Sequence, residues 1–282
     1  MAAQTRSSSN LTWNILSYAV LIFLAVLSVG PLLWMLLTSF KVEDDIVTRT
    51  MVYFPTRFTL EWYIKLWNQS GYPVLVINSL VTTAMTVAIC LFTGTIASYA
   101  FSRFNFPGRT PLMLGYLVVR MFPAVLMIIP LFIVMRNLGL FDTSLGLAVA
   151  YTSFLLPLFV WMLKGFFDAA PKELESAARI DGSTRIGAMF RIVIPIARNG
   201  LVATCVFVAI AAWNEYLFAL MLTSSTGSRT WPVGLQLMVG EFQLPWGMLA
   251  AGGIISIIPV IVLFALVQRV MVAGITAGAV KG

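Results

Sequence analysis

The sequence predicts an all-α polytopic membrane protein of six transmembrane helices, with one long polar cytoplasmic loop between helices 4 and 5. Three observations carry this. Only 10% of the 282 residues are charged, 60% are hydrophobic and the mean hydropathy is +0.93, too few charges to coat a soluble chain of this size. Six apolar runs each approach the roughly 20 residues of helix that a hydrocarbon core about 30 Å thick requires. One polar stretch, PKELESAARIDGSTRIGAMFRIVIP from Pro171 to Pro195, interrupts them.

The runs lie near 13 to 38, 77 to 101, 112 to 135, 145 to 166, 200 to 222 and 248 to 272. Together they are read as a single permease domain over 13–272, flanked by a cytoplasmic N-terminus, 1–12, and a cytoplasmic tail, 273–282. Lipid offers no water to backbone groups, and alternating strands of about ten residues are absent, so the spans are expected to be helices. The first run has no A-x-A-like cleavage site and is read as a retained span.

The net charge of +7 sets topology rather than marking a nucleic-acid partner, because the cations sit in short loops between spans. With the N-terminus inside, Arg6, Arg103, Arg109, Lys164, Lys172, Arg179, Arg185, Arg191, Arg198, Arg269 and Lys281 are cytoplasmic, eleven in all. Six are outside: Lys41, Arg49, Arg57, Lys65, Arg136 and Arg229. The excess predicts both termini and the polar stretch on the cytoplasmic side. Two cysteines, Cys90 and Cys205, and no histidine exclude a disulfide framework, a Cys/His zinc site and His-based acid/base chemistry.

Taken in order, the outer segment from Lys41 to Tyr72 carries Tyr53, Trp62, Tyr63 and Trp67, read as an interfacial aromatic belt in preference to a ligand contact. In span two, Gly94 and Ser98 beside Ala97 form a small face that lets another helix approach closely. A turn at Phe106-Pro107-Gly108 leads to span three, where Pro123 and Pro130 predict kinks. Such irregular helices are tolerated in a bilayer where they face protein or a water-filled cavity.

The polar loop, 167–199, reads as two short helices. Pro171 suits a first helical turn, with Glu173 and Glu175 favourable near its positive end. Asp181-Gly182 breaks the helix, Asp181 being able to cap the next one. Ile186, Met189, Phe190 and Val193 then form an amphipathic stripe ending at Pro195. Ala177, Ala178 and Gly182 place small side chains around the bend. A helix lying on the inner leaflet is the competing reading from spacing alone.

The same stretch resembles the EAA loop of bacterial ABC importer permeases. Ala177-Ala178, Gly182, Ile192 and Ile194-Pro195 match the pattern at its offsets. Ser176 stands where that family usually carries the motif's Glu, and Ile194 replaces Leu, leaving Glu175 as a partial substitute for the missing charge. FTLEWY, INSL, FPGR, RMFPAVLMIIPLF, WNEYLFAL and ITAGAVKG, in that order, are similar to the carbohydrate-uptake branch, and to its shorter, maltose-type second permease.

This resemblance implies a permease paired with a homologous second permease and an extracytoplasmic sugar-binding protein. It also implies a cytoplasmic ATPase dimer that receives the loop. The ATPase-coupling set is then Glu175, Ser176, Ala177, Ala178, Asp181, Gly182, Ile192 and Pro195, with Lys281 of the tail as a second contact. No G-x-x-x-x-G-K-[ST] loop is present, so ATP and Mg belong to the partner; no catalytic or metal-ligating residue is expected here.

Charges deep in a span are functional candidates. Arg120 lies roughly 13 Å into span three, and Glu215, in the run Trp213, Asn214, Glu215, Tyr216, roughly 22 Å into span five, both counted from the cytoplasm at helical rise. These five form the candidate substrate path, with a structural ion pair or gate as the plainer alternative. The function implied is sugar or oligosaccharide import by alternating access. The rivals are an ion-coupled secondary transporter using Arg120 and Glu215, an importer of a polyol or glycerol phosphate, and a passive scaffold.

Overall fold

The computed structural model describes residues 5–69, 71–240 and 244–279, and side chains from 13 to 268. All regular elements among them are helical. Four helices are long and apolar enough to cross a membrane, and two further bent pairs bring the total to as many as six if each pair is one span. The chain divides into two compact units, one formed by residues up to Gln69 with 238–255, the other by Ser70–Leu237 with Ser256 onward.

In the first unit, α1 (Thr5–Thr38) exposes its whole apolar span, with no residue of its most hydrophobic window buried. Beyond it, a short cap folds around α2 (Glu43–Ile46) and α3 (Glu61–Asn68). Lys41 is buried there, its Nζ donating to the Val52 carbonyl at 2.6 Å and lying 4.0 Å from the Trp34 ring centroid. The Asp45 carboxylate accepts from Thr56 N–H at 2.8 Å and from its hydroxyl. Trp62 packs inside, donating from Nε1 to the Lys41 carbonyl at 2.7 Å, against Gly247. Tyr53 and Trp67 remain exposed. The expected aromatic belt therefore splits into a core residue, whose indole N–H meets a backbone acceptor, and surface ones.

The second unit is built on α4 (Tyr72–Arg103) and α7 (Ser144–Ala169). A π-helical turn at Cys90–Gly94 interrupts α4. A Cβ placed on Gly94 would meet Phe159 of α7 at 2.3 Å, and the Ser98 hydroxyl lies 3.2 Å from the Val160 carbonyl, so this small face brings the helices together. Cys90, Tyr99, Phe159, Leu163, Phe167, Met189, Val193 and Val208 share one core.

The predicted span three is not a kinked rod. It is α5 (Arg109–Met121) and α6 (Ala124–Asn137), bent by 98° across Phe122-Pro123. Pro123, in extended conformation with ψ 124°, makes the break, whereas Pro130 lies in the first turn of the regular helix that follows the 3-10 turn Ala124–Met127, where a missing donor costs nothing.

Outside the spans, the turn before α7 holds Asp142 at φ 60°. Its carboxylate accepts from Ser224 N–H at 2.7 Å, Ser225 N–H at 3.0 Å and the Ser228 hydroxyl, joining two distant loops. Partial burial pushes this carboxyl up, but the three hydrogen bonds outweigh it and hold the group well below the ordinary aspartate range. A depressed folded pKa means the contribution is present above the unfolded value of about 3.9 and lost as pH falls below it. Asp142→Asn is expected to lower stability at neutral pH by about 1–3 kcal/mol. Thermal unfolding of that variant should show a weaker dependence on pH between neutrality and the acid limit than the parent.

Candidate functional site: the polar loop and its anchor on the bundle

The loop folds as α8 (Lys172–Ile180), a tight turn, and α9 (Arg185–Ile196). Pro171 sits one position earlier than expected, at the N-cap, with ψ 129°. The turn falls at Asp181-Gly182. Gly182 adopts φ 93°, Ser183 N–H donates to the Ala178 carbonyl at 3.0 Å and Gly182 N–H to the Arg179 carbonyl at 3.2 Å, closing the end of α8. Asp181 does not cap the second helix. Thr184 does, accepting from Gly187 N–H at 3.0 Å, because it occupies the N-cap with an extended backbone that aims its hydroxyl at that first-turn amide.

Glu175 is turned inward. One carboxylate oxygen accepts from Arg103 Nε at 2.8 Å and the other from the Tyr99 hydroxyl, both at the end of α4. Arg103 also reaches the Ala170 carbonyl at 3.0 Å and Ser102, whose hydroxyl donates to Asp168 at 2.7 Å. The side chains of Arg103 and Glu175 are only 6% and 12% exposed. Glu175 therefore does not present the charge that Ser176 lacks. Ser176 faces outward and donates to the Lys172 carbonyl at 3.1 Å, the local bond its short hydroxyl prefers.

The expected stripe on α9 also divides. Met189 and Val193 enter the core, while Ile186 and Phe190 are 67% and 59% exposed. A π-helical turn, Met189–Val193, runs through the core-facing part, where Met189, Val193 and Ala197 line up four apart. With Leu174 and with Ile180, 86% exposed, Ile186 and Phe190 make an apolar outer surface on an otherwise charged loop. Ala177, Asp181, Gly182 and Pro195 are exposed, Ala178 and Ile192 half-buried; Lys281 lies outside the described residues. After Ala197 the chain bends by 81° into α10 (Arg198–Trp213).

The five residues of the expected substrate path are dispersed. Arg120, in the last turn of α5, donates to the Phe154 carbonyl at 3.1 Å and is exposed. No ion pair joins it to Glu215 among the described residues. The Glu215 carboxylate instead accepts from Phe218 N–H at 2.8 Å and Ala219 N–H at 3.1 Å, capping α11 (Leu217–Leu222) where span five is interrupted. Trp213 is 2% exposed and donates to the Ser256 carbonyl at 3.0 Å, so it serves packing and leaves no ring face for a cargo. Asn214 is exposed, its amide returning to the Ile210 carbonyl at 2.9 Å, and Tyr216 is half-buried.

The fold defines a helical membrane protein, and comparison with known proteins gives its family. Residues 90–276 match the family model described as binding-protein-dependent transport system inner membrane component, and the chain belongs to that family. It is similar to the inner membrane ABC transporter permease protein YcjP of Escherichia coli strain K12, 34% identical over 284 residues with both chains fully covered. It is likewise similar to the trehalose transport system permease protein SugB of Mycobacterium tuberculosis, 37% identical over 254 residues, covering 89% of this chain and 92% of that one. Among solved structures, a chain of a bacterial ABC transporter involved in the import of the acidic polysaccharide alginate aligns with a TM-score of 0.82. That alignment has 21% identity and covers 93% of this chain and 97% of that one, a likeness of fold.

Proposed function

We propose that this chain is the non-catalytic membrane subunit of an ATP-driven importer that moves a sugar or oligosaccharide into the cytoplasm by alternating access. The observation that carries the reading is the loop Lys172–Ile196. It is tied to α4 through Glu175 and offers Leu174, Ile180 and Ile186 outward, an apolar surface suited to the cleft of another protein. A cytoplasmic ATPase dimer, holding ATP and Mg, would grip that surface and use the loop as a lever on α4, which packs on α7. An extracytoplasmic binding protein would supply the cargo, as the family description implies. The unburied apolar length of α1 supports a second, homologous permease and lipid as its neighbours. Relatives named for trehalose, diacetylchitobiose and arabinooligosaccharide transport support a carbohydrate cargo. The cation distribution supports both termini facing the cytoplasm. The ion-coupled reading is weakened because Glu215 is engaged in capping a helix rather than held for a proton.

The test is uptake in cells lacking only this gene, with radiolabelled trehalose, maltose, chitobiose, glycerol 3-phosphate and a polyol as cargoes. Loss of uptake of one sugar, restored by the intact chain and not by Leu174→Asp with Ile180→Asp, is expected. Uptake that persists when ATP is depleted under a maintained proton gradient would overturn the proposal.

A further inference from the structure

We infer that the junction of α4 with the polar loop is a binding site for an anionic phospholipid. The site has two hollows along one helix seam. At the end of α4 a cleft of about 170 Å³ is lined by Arg103, Lys172, Arg179 and Arg185 around the single carboxylate of Glu175. Arg103 already pairs with that carboxylate, and the Tyr99 hydroxyl donates to its other oxygen. Lys172, Arg179 and Arg185 have no carboxylate partner among the described residues, and the Arg185 guanidinium rests 5.1 Å from the Phe104 ring. Three uncompensated cations around a polar hollow call for a phosphate-sized anion.

The second hollow, about 350 Å³, is lined almost wholly by apolar side chains of the same helices, among them Leu91, Phe92, Ile96, Phe190 and Ile194. Thr95 lines it about one helical turn before Tyr99, and Ile96 about two turns before Arg103, both of which line the cleft; Met189 and Phe190 line it about one turn after Arg185 lines the cleft. The charged hollow therefore lies at the end of one candidate span, at Arg103, and the apolar one runs back along that span between it and residues 189–201. A soluble phosphate fills only the first, and an acidic side chain of a protein partner has no tail for the second. A phospholipid fills both, phosphate among the cations and one acyl chain in the groove. Bound there, it would brace the loop against α4, independently of which cargo is carried.

The test uses the full chain in its assembled transporter, reconstituted in nanodiscs of phosphatidylcholine with and without phosphatidylglycerol, with retained lipid counted by native mass spectrometry. Phosphatidylglycerol should be retained in preference to phosphatidylcholine. Its retention should fall roughly five-fold for each cation removed in Lys172→Gln, Arg179→Gln and Arg185→Gln. Ile96→Trp, which leaves every charge in place and fills the groove, should lower retention as well, so the idea stays testable if the charge variants fail to assemble. Unchanged retention in these variants would overturn it, as would displacement of the lipid by equal concentrations of glycerol 3-phosphate, which engages the cleft alone. Loss of the ATPase from the charge variants with lipid retention intact would mean that the cations serve a protein carboxylate, and would overturn it too.

Discussion

Arg103→Met is expected to uncouple transport, although residue 103 lies outside the loop proposed to engage the ATPase. The substitution removes the guanidinium but leaves Glu175 in a nearly closed site with only the Tyr99 hydroxyl. Breaking a buried pair from one side costs about 3–5 kcal/mol, and the remaining exposure of Glu175 puts this case near the lower end. The carboxylate escapes that cost by leaving the site, which releases α8 from α4. The double variant Arg103→Met, Glu175→Leu has no stranded charge and should recover most of the stability, since replacing both partners of a buried pair by apolar groups is often neutral. Binding-protein-stimulated ATP hydrolysis, measured against basal hydrolysis, separates the outcomes. The single variants should lose stimulation by about ten-fold or more, a barrier or population change of about 1.4 kcal/mol, and the double variant should regain part of it. If Glu175 instead faced the ATPase, Arg103→Met would be near neutral and the double variant no better than Glu175→Leu; that pattern would sink the latch.

Gly182→Ala is the second large effect. At φ 93° an L side chain crowds its own backbone, costing about 1–2 kcal/mol, while nothing around Gly182 obstructs a Cβ. The strain is therefore purely conformational and is relieved by re-aiming α8 against α9. Because those helices carry Leu174 and Ile180 on one side of the turn and Ile186 on the other, the apolar surface would lose its shape. Binding of the purified ATPase should weaken by about ten-fold. Gly165→Ala, inside α7 with open space around it, is the matching control and should be neutral or slightly stabilising. Equal loss in both variants would show that glycine replacement in general, not the turn, is responsible.

Much of the molecule was legible because its signals are local. An apolar run of about 20 residues has one stable outcome in lipid, so Ser144–Ala169 and Tyr72–Arg103 lie close to the runs read from composition. Asp181-Gly182 announced its turn through residues that tolerate that geometry. Trp213 and Glu215 misled for the opposite reason. An aromatic beside a charge in a span looks like a ligand site, yet whether the indole is buried depends on Ser256, distant in the chain, and the carboxylate is engaged by amides exposed only where the helix breaks. Ile186 and Phe190 misled because packing against the bundle, not spacing, decides which apolar residues are covered: Met189 and Val193 of the π turn are, while Phe190 within it and Ile186 before it are not. The Arg103 latch had one faint signal, a cation at the end of an otherwise apolar span, and no sequence spacing links it to a carboxylate 72 positions away.

The sequence by itself determined the class of protein: a bundle of membrane helices interrupted by one polar stretch, and the place of its turn. Those follow from composition and short-range pattern, which set the solvent and the local backbone. Only the tertiary structure decided that span three breaks by 98°, that Ile186 and Phe190 face outward, and that Glu175 of the polar stretch is held by the bundle rather than offered to a partner. A buried carboxylate must be paired wherever the fold brings a cation within reach, and that reach is a property of packing between distant segments.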